Sequence, residues 1–224
     1  MKTATPSSQS STILLIWIKA LPMTIKAIMW DFSGVLLTPK NDLGYNFISQ
    51  LIGIPVEVLT HYFNGDLNRQ VDLGEISSDA FYKSIFREQN LNEDLVSRYY
   101  ELFSDAFELN HPLINLTRTL RKRLKIGLLS NYSDRLRPML ENEYHIADLF
   151  DDMVISCEVH QLKPEERIYR TALDRLDVKP QEAIFVDDRI ENIDGANKIG
   201  IHAVHYQTSE QVISEINGLL AESN

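Results

Sequence analysis

Ile25-Lys26-Ala27-Ile28-Met29-Trp30-Asp31 is an apolar run of strand length that stops on a carboxylate. Four further runs share its design. Residues 124–129 end at Ser130 and Asn131, and residues 153–155 end at Ser156. Residues 183–186 end at Asp187 and Asp188, and residues 201–206 close the series. Short runs rich in Ile, Val and Leu suit strands buried on both faces, as in a parallel sheet.

Helical spacing fills the gaps between these runs. It is read over residues 112–123, 134–142, 164–176, 190–199 and 209–220. Pro112 stands at a helix start, where a missing N–H costs little, and Gly200 stands at a stop. Ser209 is read as the N-cap of the last helix. Strand alternating with helix predicts an α/β core, a Rossmann-like parallel sheet covered on both faces. Residues 42–109 break that rhythm. They read as a helical insertion after the first strand, with turn signals at Asn64-Gly65-Asp66 and Asp72-Leu73-Gly74. The expected organisation is therefore a core over residues 23–41 and 110–224, a helical cap over 42–109, and an N-terminal extension over 1–22.

Bulk properties narrow the function. With 224 residues and 44% apolar content, the chain can bury a sizeable core. A net charge of −10 repels phosphate backbones and anionic lipid, so neither nucleic acid nor membrane is expected as a partner. A small anionic substrate stays compatible with that charge if a cation reverses the local field. One cysteine, Cys157, permits no internal disulfide and fits a reducing, cytoplasmic setting. It reads as a small buried apolar residue. The apolar run at residues 13–18 is far too short for a bilayer, which needs about 20 residues. With Lys2 as its one basic residue it makes a poor secretory signal. Oligomeric state is not legible.

In an open parallel sheet, ligands bind beyond the carboxyl ends of the strands. Asp31, Ser130, Asn131, Asp187 and Asp188 all fall at such ends. If the first and fourth strands are neighbours, about 5 Å apart, three carboxylates crowd together. Carboxylates that close either raise one another's pKa or require a cation, and oxygen ligands of this kind suit Mg2+.

The order and spacing of these residues carry a resemblance. Asp31-Phe32-Ser33-Gly34-Val35 resembles the first motif of the haloacid dehalogenase (HAD) superfamily, Asp-x-Asp-Gly-Thr/Val, apart from its third position. Leu128-Leu129-Ser130-Asn131 resembles the second motif, and Lys163-Pro164 the third. Phe185-Val186-Asp187-Asp188, followed by Asn192 and Gly195-Ala196, resembles the acidic fourth. The insertion stands where C1-capped members of subfamily IA carry their cap, and the likeness extends to sugar-phosphate phosphatases of that group. It implies the HAD fold and Mg2+-dependent hydrolysis of a small phosphorylated metabolite. Asp31 would attack phosphorus and form an aspartyl-phosphate. Ser130 and Lys163 would complete the catalytic set. Ser130, Asn131 and Lys163 would bind the substrate; apart from the resemblance, Arg69 in the cap is a candidate substrate contact. The metal ligands would be Asp31, the Ser33 backbone carbonyl, Asp187 and Asp188.

Ser33 is the departure. Phosphatases of the family usually carry a second Asp there, which protonates the leaving oxygen and then activates water. A serine hydroxyl has no accessible pKa for that work, which is typically worth about 10²–10⁴-fold. Three readings stay open on the sequence: a phosphatase that manages without this acid, a 2-haloacid dehalogenase, and a weakly active or non-catalytic binder of phosphorylated ligands.

Overall fold

The computed structural model describes residues 24–40 and 44–223; the extension read over residues 1–22 lies outside them. The chain enters through β1 (Ala27–Trp30) and β2 (Leu37–Pro39). Five helices follow: α1 (Gly44–Ile52), α2 (Val56–Phe63), α3 (Asp66–Asp72), α4 (Ser78–Glu88) and α5 (Leu95–Ala106). After β3 (Phe107–Leu109) and α6 (His111–Leu120) come β4 (Lys125–Ser130), α7 (Leu136–Pro138), β5 (Asp152–Ile155) and α8 (Ser156–Val159). Then α9 (Glu166–Leu176), β6 (Ala183–Asp187), α10 (Ile190–Lys198), β7 (His202–His205) and α11 (Ser209–Glu222) complete the fold.

The main sheet runs β5-β4-β1-β6-β7, parallel throughout. The first strand is central, and β6, the fourth of this sheet, is its direct neighbour. Alternation along the strands decides what each face buries. Ile28 and Trp30 of β1 join Ile184 and Val186 of β6 in one apolar layer. Ala27, Met29, Ala183 and Phe185 face the other, where α9 presents Ile168, Tyr169, Ala172, Leu173 and Leu176. Every residue of β1 and β6 is buried, which explains why both read as unbroken apolar runs. Each large side chain so buried contributes roughly 1.5–3 kcal/mol.

The helices α1–α5 form the inserted cap. A two-stranded antiparallel ribbon carries the chain out and back, with Leu37 opposite Leu109 and Pro39 opposite Phe107. Asn110 locks its root: its amide nitrogen donates to Leu36 O and its Nδ2 to Val35 O, while its Oδ1 caps α6 at Leu113 N. The cap also rests on core loops. Ser78 N donates to Asp134 Oδ1 at 3.0 Å, and the His160 ring bonds Leu73 O at 2.7 Å. The Arg135 guanidinium stacks over Tyr100, 3.8 Å from the ring centre.

Two local expectations need correction. Residues 134–142 hold one short α-helical turn, α7, continued by a π-helical turn over Met139–Glu143. Pro138 has no N–H to continue an α-helical ladder. The N-cap of α11 is Thr208, whose hydroxyl accepts from Gln211 N in a capping box. The Ser209 hydroxyl instead donates to Asn110 Oδ1 at 2.9 Å. Among the described residues no helix is long and apolar enough to cross a membrane.

Candidate active site

Parallel pairing with β6 brings Asp31 directly to the end of its neighbour: Asp31 N donates to Val186 O at 2.9 Å, one residue before Asp187. On the other side β4 ends at Ser130, whose Oγ donates to Asp31 Oδ1 at 2.7 Å. The same oxygen accepts from Phe32 N at 2.7 Å and lies 2.9 Å from Lys163 Nζ. Three donors thus converge on Oδ1. Oδ2 accepts no hydrogen bond from the described residues, and Asp31 lines the cavity between core and cap.

Lys163 lies between two carboxylates. Its Nζ is 2.9 Å from Asp31 Oδ1 and 2.6 Å from Asp187 Oδ2, and the residue is buried. Burial works to lower its pKa, but Asp31 and Asp187 outweigh it and hold the ammonium above the ordinary lysine value. Asn131 fixes the loop behind it, accepting from Lys163 N at 2.9 Å and donating to Lys163 O at 3.0 Å. Asp187 is saturated: Oδ1 accepts from Arg189 N and Asn192 Nδ2, and Oδ2 from Lys163 and Asn192. Tyr169 holds the start of α10 by donating to Asn192 O at 2.8 Å. Gly195 allows that close approach, since a Cβ there would lie 2.8 Å from Pro164 O.

Asp188 is exposed toward the cavity, and its backbone carbonyl is engaged by the His205 ring. Gly34 makes room for its carboxylate: φ is +83°, and a Cβ would fall 2.5 Å from Asp188 Oδ2. Oxygens of Asp31, Asp187 and Asp188 all lie within 4.8 Å of one another. Burial first, and crowding second to it, raise two of these carboxyls. Burial pushes the Asp31 carboxyl up to about 6 against the pull of Lys163, and Asp187 adds to the rise. Loss of water around Asp188, and then Asp187, raise that carboxyl as well. Hard oxygen donors at this spacing could hold a divalent cation, which would relieve the repulsion.

The residues named from sequence therefore divide. Asp31, Ser33, Asn131, Lys163 and Asp188 line one cavity of about 280 Å³. Ser130 and Asp187 lie fully buried just behind it. Arg69 is not in the lining; its guanidinium is exposed and 3.4 Å from Glu165. The same helix turns Asn68, Val71 and Asp72 inward, at the i, i+3, i+4 spacing of one face. Asp72 escaped the sequence reading, where it marked a turn. Half-buried, its carboxyl is pushed up to about 7, chiefly by burial. The stripe of Tyr99, Tyr100 and Phe103 belongs to the cap core and also walls the cavity. Cys157 is buried, which drives its thiol up to about 12, and lies outside the lining.

A carboxylate with one oxygen open at a parallel strand end, a buried cation and an acidic cluster together make a candidate hydrolase site. The family model for haloacid dehalogenase-like hydrolases matches residues 25–200, and the chain belongs to that family. Among curated proteins it is similar to phosphatase MT3486 of Mycobacterium tuberculosis, 27% identical over 88% of this chain and 96% of that protein. It also resembles bifunctional epoxide hydrolase 2 of Mus musculus, at 22% identity over 87% of this chain but only 38% of that protein. Among solved structures, a predicted HAD-like hydrolase from Porphyromonas gingivalis aligns with a TM-score of 0.74 at 22% identity, over 88% and 98% of the two chains. The HAD enzyme bt-2542 of Bacteroides thetaiotaomicron, solved with magnesium and inorganic phosphate, aligns at 0.68 and 20% identity, over 82% and 94%.

Proposed function

We propose that this chain is a Mg2+-dependent phosphatase of the cytoplasm, acting on a small phosphorylated metabolite through an aspartyl-phosphate at Asp31. The observation that carries this reading is the Asp31 carboxylate, fixed at one oxygen by Ser130, Phe32 N and Lys163 while the other has no donor among the described residues. MT3486, similar along nearly its whole length, is named a phosphatase, which supports it. The core–cap division at residues 23–41, 42–109 and 110–224 belongs to the same reading.

Asp31 attacks phosphorus, the bond from phosphorus to the ester oxygen breaks, and the alkoxide leaves with a proton drawn from solvent or a nearby acid. Water then attacks the phosphorus of the aspartyl-phosphate, releasing inorganic phosphate and restoring the carboxylate. Lys163 supplies positive charge where negative charge spreads. Asn131 aligns the lysine loop and lines the cavity. Ser130 orients the nucleophile; its hydroxyl is engaged by Asp31, so a phosphoryl contact from it would be shared. A bound Mg2+ would neutralise phosphoryl charge, held by Asp31, the Ser33 carbonyl and Asp188. Asp187 already accepts four hydrogen bonds, so its part is to hold Lys163 and Asn192.

The test is phosphate release from a panel of esters with Mg2+ and with EDTA. Release that needs the metal and vanishes in Asp31→Asn supports the reading. Turnover of chloroacetate that persists in EDTA would replace it with the dehalogenase. Ser33 favours one other reading, a binder of phosphorylated ligands with little turnover, because no carboxyl stands at that point of the cavity wall. Tight binding without release would establish it.

A further inference from the structure

The cavity has a charged floor, described above, and a roof of different chemistry. Phe63, Phe81, Tyr82, Tyr99 and Phe103 from the cap, with Tyr132 from the core, surround the space above Asp31. The roof's polar atoms are largely occupied. Tyr82 donates to the Tyr99 hydroxyl at 3.0 Å, and Tyr100 donates to Asp79 Oδ1 at 2.9 Å. Both lining arginines are paired: Arg135 with Glu143 at 2.9 Å, Arg189 with Glu191. The Tyr45 hydroxyl and the Asn68–Asp72 pair form a polar edge; Ser78 and Ser133 also line the cavity, their hydroxyl oxygens facing Tyr100 OH and Arg135 N at 3.4 Å.

A polyhydroxylated leaving group would lose its water on entering such a roof and find few partners in return. Each unpaired buried hydroxyl costs affinity and rate. A hydrocarbon group meets the opposite balance, since ring-to-ring contact replaces water at both surfaces. A second anionic group on the substrate would meet Asp72, with no unpaired cation among the lining residues to receive it.

We propose that the site is selective for phosphate monoesters of apolar alcohols, aromatic or branched hydrocarbon, in preference to sugar phosphates. The volume of about 280 Å³ stands at the small end of ligand pockets, so the group held is of the order of one or two rings. This deepens the phosphatase reading and rests on it.

The deciding experiment compares primary-alcohol esters, so that leaving-group reactivity is matched. With Mg2+, kcat/KM is measured for 2-phenylethyl phosphate, glucose 6-phosphate and glycerol 3-phosphate, with acetyl phosphate as an activated control. The phenylethyl ester is expected to exceed both others by about tenfold or more, the effect of burying one ring. Glucose 6-phosphate turned over equally or better overturns the inference and leaves the phosphatase intact. No release from any compound, acetyl phosphate included, defeats the phosphatase reading itself. Calorimetric titration with 2-phenylethylphosphonate and methylphosphonate then judges the roof without turnover. A Kd at least about tenfold lower for the phenylethyl compound supports it; equal Kd values overturn it.

Discussion

Floor and roof of the same cavity keep their side chains in place by different means. On the floor, Lys163 bridges Asp31 and Asp187 at 2.9 and 2.6 Å, and Asp187 accepts four hydrogen bonds from three donors. In the roof, rings pack on rings: Tyr82 and Tyr99 lie 4.1 Å apart at their centres, and Phe103 and Phe107 stack at 4.5 Å. The floor depends on short directional bonds, each tied to one chemical group. The roof depends on area, which many residues share. Chemistry should therefore be concentrated in single floor residues and specificity spread over the roof. Floor substitutions should act steeply, and roof substitutions should act by degrees.

The sharpest test of that contrast is Asp31→Asn. It keeps the shape and removes the carboxylate proposed to attack, so phosphate release should fall by at least about 10⁴-fold. Colorimetric phosphate assay checks this, with circular dichroism confirming a folded variant. A residual rate within tenfold of the parent would place the nucleophile elsewhere. Next in size is Lys163→Met. It leaves two buried carboxylates without their cation, which should cost roughly 3–5 kcal/mol of stability. Urea denaturation in EDTA measures it, and added Mg2+ should recover part of the loss. A cost near zero would mean that the floor is wetter than its geometry implies. Ser33→Asp works in the opposite direction. It restores a carboxyl at the first-motif position, and turnover of alkyl phosphates should rise by up to about 10²-fold. An unchanged rate would mean that another group already delivers the proton.

How far these two regions were legible in advance follows the same divide. The floor could be read because parallel strands are apolar along their length and polar at their ends. Asp31, Ser130, Asn131, Asp187 and Asp188 had to fall on one edge of the sheet once β1 and β6 were neighbours. The roof could not, because a helix turns about 100° per residue and sequence does not say which face is inward. Arg69 looked like a ligand for an anion and points to Glu165 and solvent; Asn68 and Asp72, on either side, point in. The ribbon of Leu37–Pro39 with Phe107–Leu109 was invisible for another reason. Three-residue strands carry almost no periodicity, and the partner lies far along the chain. Thr208 and Ser209 are both fair caps, and only the position of Asn110 draws the serine hydroxyl away.

Asp72 is the roof's exception, and the smallest of the expected effects turns on it. Its carboxyl is pushed up to about 7 by burial first, against the pull of Lys163 and Arg189 and a hydrogen bond from Asn68, while Asp31 pushes it further up. In the unfolded chain an aspartate titrates near 3.9, about its ordinary value. Between those two values the folded state holds a proton that the unfolded state has lost. Stability must then fall as pH rises through this window, from about 4 to about 7, and level off above it. Asp72→Asn removes the titrating group and with it that slope. In EDTA, so that no metal ion titrates with it, the variant should match the parent near pH 4 and pull ahead as pH rises. At pH 8 a gain of roughly 2–4 °C in Tm is expected, the response of a chain this size to about 1 kcal/mol, the part of the full linkage of about 4 kcal/mol left once solvent screens this half-buried carboxyl. Thermal unfolding at pH 5, 6.5 and 8 gives the curve. Parallel Tm profiles for the two proteins would mean that water reaches this carboxyl freely. The cap would then shield its cavity far less than the packed rings around Tyr99 imply.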